Sequence, residues 1–145
     1  MRNTILGTEL DSSGNTLIHA LPADLRSVLK SVQKYSNNVG ASNYGIKITP
    51  TTDYLFLPSE FEVYGTHVSA SSLEQDYQKQ YSYYSAGNSK IKYQNIGTGA
   101  NAKHWLRSCY GISNYNALYL AVNTDGTEGD GSIYTSFGIA PMFCV

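Results

Sequence analysis

Hydrophobic residues in the first third of the chain recur at helical spacing. In residues 20–34, apolar side chains fall on one face every three or four positions, which predicts an amphipathic helix. Pro22 suits the first helical position, and Asp24 suits the positive first turn of such a helix. The apolar positions of this face are Leu21, Leu25, Val28, Leu29 and Val32. A shorter helix is predicted over residues 4–10.

The next segment alternates short helical signals with loop and strand signals. Residues 37–44 predict a loop from their Asn, Gly and Ser content, and residues 46–48 and 54–57 predict short strands. Ser59 with Glu62 forms a capping-box pattern, which predicts a short helix through Val63. Ser71 with Glu74 repeats the pattern and predicts a polar helix through about Tyr84, before Gly87 and Asn88 break the chain.

The hydrophobic pattern of the second half is that of β-strands. Residues 90–94 and 104–109 predict strands, and in residues 117–122 Leu118, Leu120 and Val122 share the face opposite Tyr119. Asp125-Gly126 predicts a turn after that strand. Residues 139–145 are apolar on both faces, which is typical of a central strand. The whole chain therefore predicts one α+β domain, with early helices and a late antiparallel sheet.

Composition and charge exclude several classes of function. Hydrophobic residues make up 41% of the 145 residues and charged residues 14%, which is too apolar for a disordered chain. The net charge of −1 offers no attraction to nucleic acid or to an anionic membrane. No apolar run approaches the ~20 residues of a membrane span. The first ten residues lack the basic-then-apolar pattern of a signal peptide.

Tyrosine is the unusual residue of this composition. The chain has 13 Tyr against 4 Phe and 1 Trp, together with 13 Gly and many Ser, Asn and Thr. Antibody paratopes favour the same mixture, because Tyr brings a large, stiff surface at a low entropy cost and small polar residues adapt their hydrogen bonds. Tyr is equally favoured in half-buried strands. Composition leaves both interpretations open.

The candidate catalytic and metal-binding residues are few. His19, His67 and His104 lie far apart and lack the spacing of a metal site. No nucleophile elbow and no phosphate-binding glycine loop is present in the sequence. We therefore expect no catalytic residue, no metal and no cofactor, and we do not expect an enzyme.

Two further groups invite a metal interpretation. Asp125, Glu128 and Asp130 lie in a Gly-rich turn, but they lack the ligand spacing of an EF-hand, so a solvated acidic loop is the better interpretation. Cys109 and Cys144 could form a disulfide, bind a metal or pack as two buried thiols. The third of these is the simplest interpretation.

Five ordered blocks of the sequence carry a resemblance to a known family. The most specific are His-Trp-Leu-Arg-Ser at 104–108 and Gly-Ile-Ala-Pro-Met-Phe-Cys-Val at 138–145. Upstream blocks lie at residues 21–26, at 53–60 with 62–65, and at 83–89. In this order the blocks resemble an uncharacterised family of gut bacteria and their phages, whose members commonly end in Trp-Leu-Arg-Ser and Gly-Val-x-Pro-x-Phe-Cys-type motifs.

The resemblance implies a C-type-lectin-like domain over residues 1–145, expected to be the C-terminal part of a longer protein. The family is similar to variable proteins diversified by retroelements, and more distantly to formylglycine-generating enzymes. In such variable proteins the diversified positions lie between the Trp block and the last strand, here residues 110–136. The ligand-binding residues that the resemblance implies in this window are Tyr110, Ser113, Asn114, Tyr115, Asn116, Tyr119, Thr124, Thr127, Asp130, Ser132, Tyr134 and Thr135.

The resemblance also implies roles for the conserved-looking blocks. Trp105 and Leu106 are expected in the core, Arg107 is expected to bind a loop or a carboxylate, and Pro141 and Phe143 are expected to set and fill the last strand. Two positions depart from the residues usual in the family. Cys109 stands where Pro or Ala is usual, and Ala140 stands where Arg often appears. These departures weaken any fixed role for the two positions.

Three functions follow as hypotheses. The first is a display domain of a phage tail or bacterial surface, binding a protein or glycan on a host or neighbouring cell. The second is a structural part of such an assembly, packed against neighbouring chains. The third is an oxidase-like enzyme in which Cys109 and Cys144 bind copper. It is the weakest hypothesis, because the sequence supplies no groove for a substrate peptide.

Overall fold

The computed structural model describes residues 16–37, 48–94, 99–110 and 118–145. It is an α+β structure of short helices and antiparallel sheets. The helices are α1 (Leu17–Ala20), α2 (Ala23–Val28), α3 (Glu60–Tyr64), a 3₁₀ helix (Ser72–Tyr77) and α4 (Ser82–Ser85). The strands are β1 (Val32–Asn37), β2 (Ile48–Asp53), β3 (Lys92–Tyr93), β4 (Asn101–Ala102), β5 (His104–Cys109), β6 (Leu118–Val122) and β7 (Glu128–Ser132). None of the described helices is long and apolar enough to cross a membrane.

The long helix predicted over residues 20–34 is wrong in its second half. Helix α2 ends at Val28, where Leu29 takes an extended backbone, and Lys30 then forms an isolated bridge with Cys144. The next residues form β1, which pairs antiparallel with β2. The helical spacing there is overridden because strand pairing with a distant segment supplies the backbone hydrogen bonds. The helix predicted over residues 4–10 lies outside the described residues.

Strand β2 lies between the two strands predicted in its neighbourhood. It covers Ile48–Asp53 and so contains the last residue of the strand predicted at 46–48, whose first two residues lie outside the described ranges. The segment 54–57 is not a strand, since it forms only one bridge, from Phe56 to Met142. Of the predicted loop at 37–44, Asn37 ends β1 and the remaining residues lie outside the described ranges.

The first capping box is confirmed and the second is wrong. The Ser59 hydroxyl accepts a hydrogen bond from the Glu62 backbone at 3.1 Å, and the Glu62 carboxylate accepts one from the Ser59 backbone at 2.9 Å. Ser71 makes no side-chain cap. Glu74 instead turns inward and accepts hydrogen bonds from the Asn37 backbone and the Ser108 hydroxyl. The segment therefore forms a 3₁₀ helix and the separate helix α4.

The late antiparallel sheet has the order β5-β6-β7. Its first two strands confirm the predicted strands, and the turn at Asp125-Gly126 is confirmed, with Gly126 at a φ of 85°. The short strand β3 falls within the predicted strand at 90–94. The sequence did not predict β7, because glycines at two of its five positions hide the alternation.

The central strand predicted over residues 139–145 is wrong. The segment makes isolated bridges at Met142 and Cys144 and no ladder. Phe143 is 42% exposed and Val145 is 62% exposed, so Phe143 does not fill the core. Met142 pairs with Phe56 and Cys144 pairs with Lys30, so the segment forms one bridge with each of two separate parts of the chain.

The β5-β6-β7 sheet separates two hydrophobic cores. Trp105 and Ala121 face one core, whereas Leu106, Leu120 and Val122 face the other. This confirms the predicted alternation of β6 and the core positions of Trp105 and Leu106. The first core also contains Ile18, Leu29, Leu55 and Leu57, and the second also contains Val63, Ala70 and Tyr84.

Candidate functional site

A cavity of about 480 Å³ lies between the β1–β2 hairpin and the β5-β6-β7 sheet. The hairpin supplies its polar wall. Lys34 pairs with Thr51 across the hairpin, and because strand side chains alternate, Ser36 and Asp53 share the same face. All of these side chains line the cavity. The remaining lining is mainly apolar and includes Leu55, Leu57, Trp105 and Leu106.

Arg107 on β5 connects the hairpin to other parts of the cavity lining. Its Nε donates to the Ser36 hydroxyl at 3.1 Å, and its Nη1 donates to the Leu57 carbonyl at 2.9 Å and to the Glu62 carboxylate. The expectation that Arg107 binds a loop or a carboxylate is therefore confirmed. Its side chain is 12% exposed, so this guanidinium is held firmly at the cavity wall.

Lys34 shares the Glu62 carboxylate with Arg107. Its Nζ lies 2.9 Å from Glu62 Oε1, donates to the Tyr81 hydroxyl at 2.7 Å and lies 4.2 Å from the centre of the Phe56 ring. Burial alone would raise the pKa of Glu62, but Arg107 and Lys34 together hold it below its ordinary value. Glu62 is therefore ionised at neutral pH and bridges the two cations.

The rim of the cavity is formed by the open end of the β6–β7 hairpin. Tyr119 on β6 and Ile133 and Thr135 after β7 line this rim. Tyr119 is 37% exposed and Ile133 is 53% exposed, while the adjacent Tyr134 is 89% exposed. Burial, and then the neighbouring Cys109, raise the pKa of Tyr119 to about 12, so its hydroxyl keeps its proton at neutral pH.

The structure brings together four of the predicted ligand-binding residues. Tyr119, Ser132, Tyr134 and Thr135 lie at the open end of the β6–β7 hairpin, which we call the near end. The Ser132 hydroxyl accepts a hydrogen bond from the Tyr134 backbone at 3.3 Å. Ile133 completes this surface, although the sequence analysis did not single it out.

The other predicted residues do not join the near end. Thr124 and Thr127 lie at the turn, about 15 Å away by the rise of a strand, and Asp130 lies between the two ends. Tyr110 packs against the second core, on the face of the sheet opposite Tyr119. Four predicted residues lie outside the described ranges: Ser113, Asn114, Tyr115 and Asn116.

Comparison with known proteins gives one match. A family model described as "Domain of unknown function (DUF6273)" matches residues 11–145. The chain belongs to this family. No curated protein and no solved structure matches it.

The acidic turn of the DUF6273 domain is built by hydrogen bonds. The Asp125 carboxylate accepts hydrogen bonds from the Thr127 hydroxyl at 2.6 Å and from the Thr127 backbone at 3.0 Å, and these bonds lower its pKa. Among the described residues, no group of three or more His, Cys, Asp or Glu side chains could hold a metal ion. His67 stacks on the Phe61 ring, and His104 is buried in β5, where burial lowers its pKa.

Cys109 and Cys144 do not form a disulfide with one another in this DUF6273 domain. Cys109 is buried and its Sγ lies 3.2 Å from the Asn37 carbonyl, whereas Cys144 is partly exposed and bridges Lys30 through its backbone. The prediction of buried thiols therefore holds for Cys109 and is wrong for Cys144. Cys144 does not belong to the late sheet, because the last segment forms no ladder there.

The sequence analysis missed the polar wall of the cavity. Lys34 was assigned to the end of a helix, Ser36 was not assigned to any element, and Thr51 and Asp53 lay between two predicted strands. The local pattern gives no strand signal here, because polar residues fall on both faces of each strand, at Gln33 beside Lys34 and at Thr52 beside Thr51. The pairing of β1 with β2 could not be predicted from either segment alone.

Proposed function

We propose that this chain is a binding domain that displays the near end of the β6–β7 hairpin to a partner. The observation that carries this proposal is the exposure of Tyr134, 89%, beside the exposed side chains of Ile133 and Tyr119. Aromatic residues of this kind are the usual anchors of recognition surfaces. A contiguous exposed apolar surface next to a cavity is typical of an interaction site.

The near end is exposed, and the part of the domain beneath it is held together by many contacts, as a binding domain requires. Arg107 and Glu62 connect the β1–β2 hairpin to β5, and Trp105 packs against Phe137 with ring centres 4.4 Å apart and the ring planes tilted by 38°. These contacts hold a rigid base under the near end. Rigid scaffolds that present variable segments commonly carry recognition.

The proposal includes the finer expectations drawn from the sequence. The domain has a C-type-lectin-like fold, and residues 110–136 are the segment that varies between related chains. The parent protein belongs to a phage tail or a bacterial surface, and its partner is a protein or a glycan on a host or neighbouring cell. The mixture of Tyr, Ser, Asn and Thr in this segment supports the proposal, because it suits adaptable recognition.

The test is binding of the fluorescently labelled domain to a panel of gut-bacterial cells, measured by flow cytometry. The double variant Tyr119→Ala, Tyr134→Ala should lose binding, since each aromatic anchor contributes on the order of 2 kcal/mol, or about thirtyfold in affinity. Tyr93→Ala is the matched control, because Tyr93 is 66% exposed on a different sheet. It should bind like the wild type.

Two results would contradict the proposal. The first is a double variant that binds the cells recognised by the wild type as strongly as the wild type and the control do. The second is a variant that changes only the oligomeric state of the isolated chain in size-exclusion chromatography. That second result would favour a structural role in an assembly, with the near end packed against a neighbouring chain.

A further inference from the structure

The cavity beneath the near end has the size and access of a small-molecule site. Its volume of about 480 Å³ falls within the ~300–1,000 Å³ of typical ligand pockets. Tyr119, Ile133 and Thr135 line its rim, and each of them is exposed. A ligand could therefore reach the cavity from the surface that we assign to recognition.

The positive and negative charges around the cavity balance one another. Lys34 and Arg107 are the cations of its wall, Asp53 is its carboxylate, and Glu62 contacts both cations from behind. Two cations and two carboxylates leave no formal net charge. Glu62 already binds Lys34 Nζ and Arg107 Nη1, whereas Arg107 Nη2 is buried and has no hydrogen-bond partner among the described residues. This amino group can donate to a ligand oxygen, and the balanced charges favour a ligand that carries no net charge.

Hydroxyl groups supply the remaining polar chemistry of the cavity. The Ser36 hydroxyl accepts from Arg107 Nε, which leaves its own proton to donate. Thr51 lies on the same wall, and Thr135 lies at the rim. Hydroxyl groups both donate and accept, and they can therefore pair with the hydroxyls of a ligand in either direction.

Apolar side chains line the cavity together with these hydroxyls. Leu55, Leu57 and the edge of the first core at Trp105 form this apolar wall, and Tyr119 continues it to the rim. A ligand that fits must therefore be polar along one edge and apolar on a face. A sugar ring has this form, with hydroxyls around its edge and C–H groups on its faces.

We propose that the cavity binds an uncharged sugar, as a mono- or disaccharide unit. The proposal rests on the recognition role of the near end and deepens it, because the rim residues belong to both. The hydroxyls of Ser36, Thr51 and Thr135 bind the ring hydroxyls, and the apolar wall contacts the ring face.

Saturation-transfer NMR of the whole chain tests this proposal. The probes are glucose, galactose, mannose, N-acetylglucosamine, maltose and lactose at millimolar concentration, with glucuronate as the charged control. At least one neutral sugar should receive saturation at its C–H protons. Thr51→Val should raise its Kd about tenfold, the effect of one lost buried hydrogen bond.

Thr52→Val is the matched control, because Thr52 is the neighbouring residue on the opposite, exposed face of β2. It should bind the sugar like the wild type. Absence of binding by every neutral sugar, tighter binding of the charged control, or an unchanged Kd in Thr51→Val would each overturn the proposal.

Tyr134→Ala separates this proposal from the proposed function. Tyr134 is exposed and does not line the cavity, so the variant should keep sugar binding and weaken binding to cells. If the domain binds cells through Tyr119 and Tyr134 but binds no sugar, the cavity proposal fails and the display function stands. If it binds sugar but no cells, the display function fails.

Discussion

Glu62 connects the helix cap of α3 to both cations of the cavity wall, and its removal would disturb each of them. The residue is 3% exposed, and it binds Lys34, Arg107 and the Ser59 backbone. In Glu62→Ala, two largely buried cations lose their shared carboxylate and α3 loses half of its capping box. We expect this substitution to be severely destabilising.

The magnitude follows from the buried ion pairs. Breaking a buried pair by removing one partner costs about 3–5 kcal/mol, and the lost cap adds about 1 kcal/mol. A domain of this size has a free energy of unfolding of about 5–15 kcal/mol. The melting temperature of Glu62→Ala should therefore fall by roughly 10–25 °C. Urea unfolding at neutral pH, followed by circular dichroism, measures the loss of free energy directly.

Glu62→Gln separates the charge from the cap. Glutamine at this position can still complete a capping box, so only the ionic part of the loss should remain. The pKa of Glu62 is lowered in the folded state, so its ionised form contributes stability above the ordinary value of 4.5. The difference between wild type and Glu62→Gln should therefore be full at neutral pH and should shrink as the pH falls through the folded-state pKa.

Asp76→Ala is the control for these variants, because Asp76 is an exposed acid of the 3₁₀ helix. It should change the free energy of unfolding by less than about 0.5 kcal/mol. A loss below about 1 kcal/mol for Glu62→Ala would refute the reasoning. It would mean that Lys34 and Arg107 are solvated well enough to stand without their carboxylate.

Two further predictions concern β7. Gly131→Ala should destabilise the domain by about 1–3 kcal/mol, since its Cβ would overlap Phe137 Cε2 and would lie 2.8 Å from Trp105 Cη2. An unchanged melting temperature would show that the two rings can move aside. Burial, and then the neighbouring Glu60, raise the pKa of Glu128 to about 7. The stability that this proton provides is full below pH 4.5 and is lost as the pH rises through about 7. The free energy of unfolding of Glu128→Gln should therefore rise relative to that of the wild type over this pH range. An NMR titration that places the pKa of Glu128 near 4.5 would contradict this.

Local chemistry explains which elements could be predicted from the sequence. The cap at Ser59, the turn at Gly126 and the alternation of β6 depend on neighbouring residues, and the structure contains all three. The helix predicted through residue 34 and the strand predicted at 139–145 failed for the opposite reason. Their backbone partners lie far away in the chain, where no local pattern could indicate them.

The candidate site divides in the same way. The window 110–136 followed from a resemblance, and strand alternation correctly turned Tyr119 away from the second core. The separation of Tyr110 from the near end follows from its position across the sheet. The cavity depends on the packing of the β1–β2 hairpin against β5, so its polar wall could not be placed before the pairing was known.

Strand β7 is an outer strand of its sheet, and its sequence affects how the molecules behave in concentrated solution. Outer strands can pair with a second chain and start aggregation unless charge or shape prevents it. Glu128 and Asp130 place two carboxyl groups on one face of this five-residue strand, while Gly129 and Gly131 leave the other face without side chains. Because the pKa of Glu128 is raised to about 7, its charge joins that of Asp130 as the pH rises through that value. Two such strands approaching one another would bring like charges together. The same residues that give β7 a weak strand pattern therefore protect the domain against edge-to-edge association, and this protection depends on the ionisation of its acids.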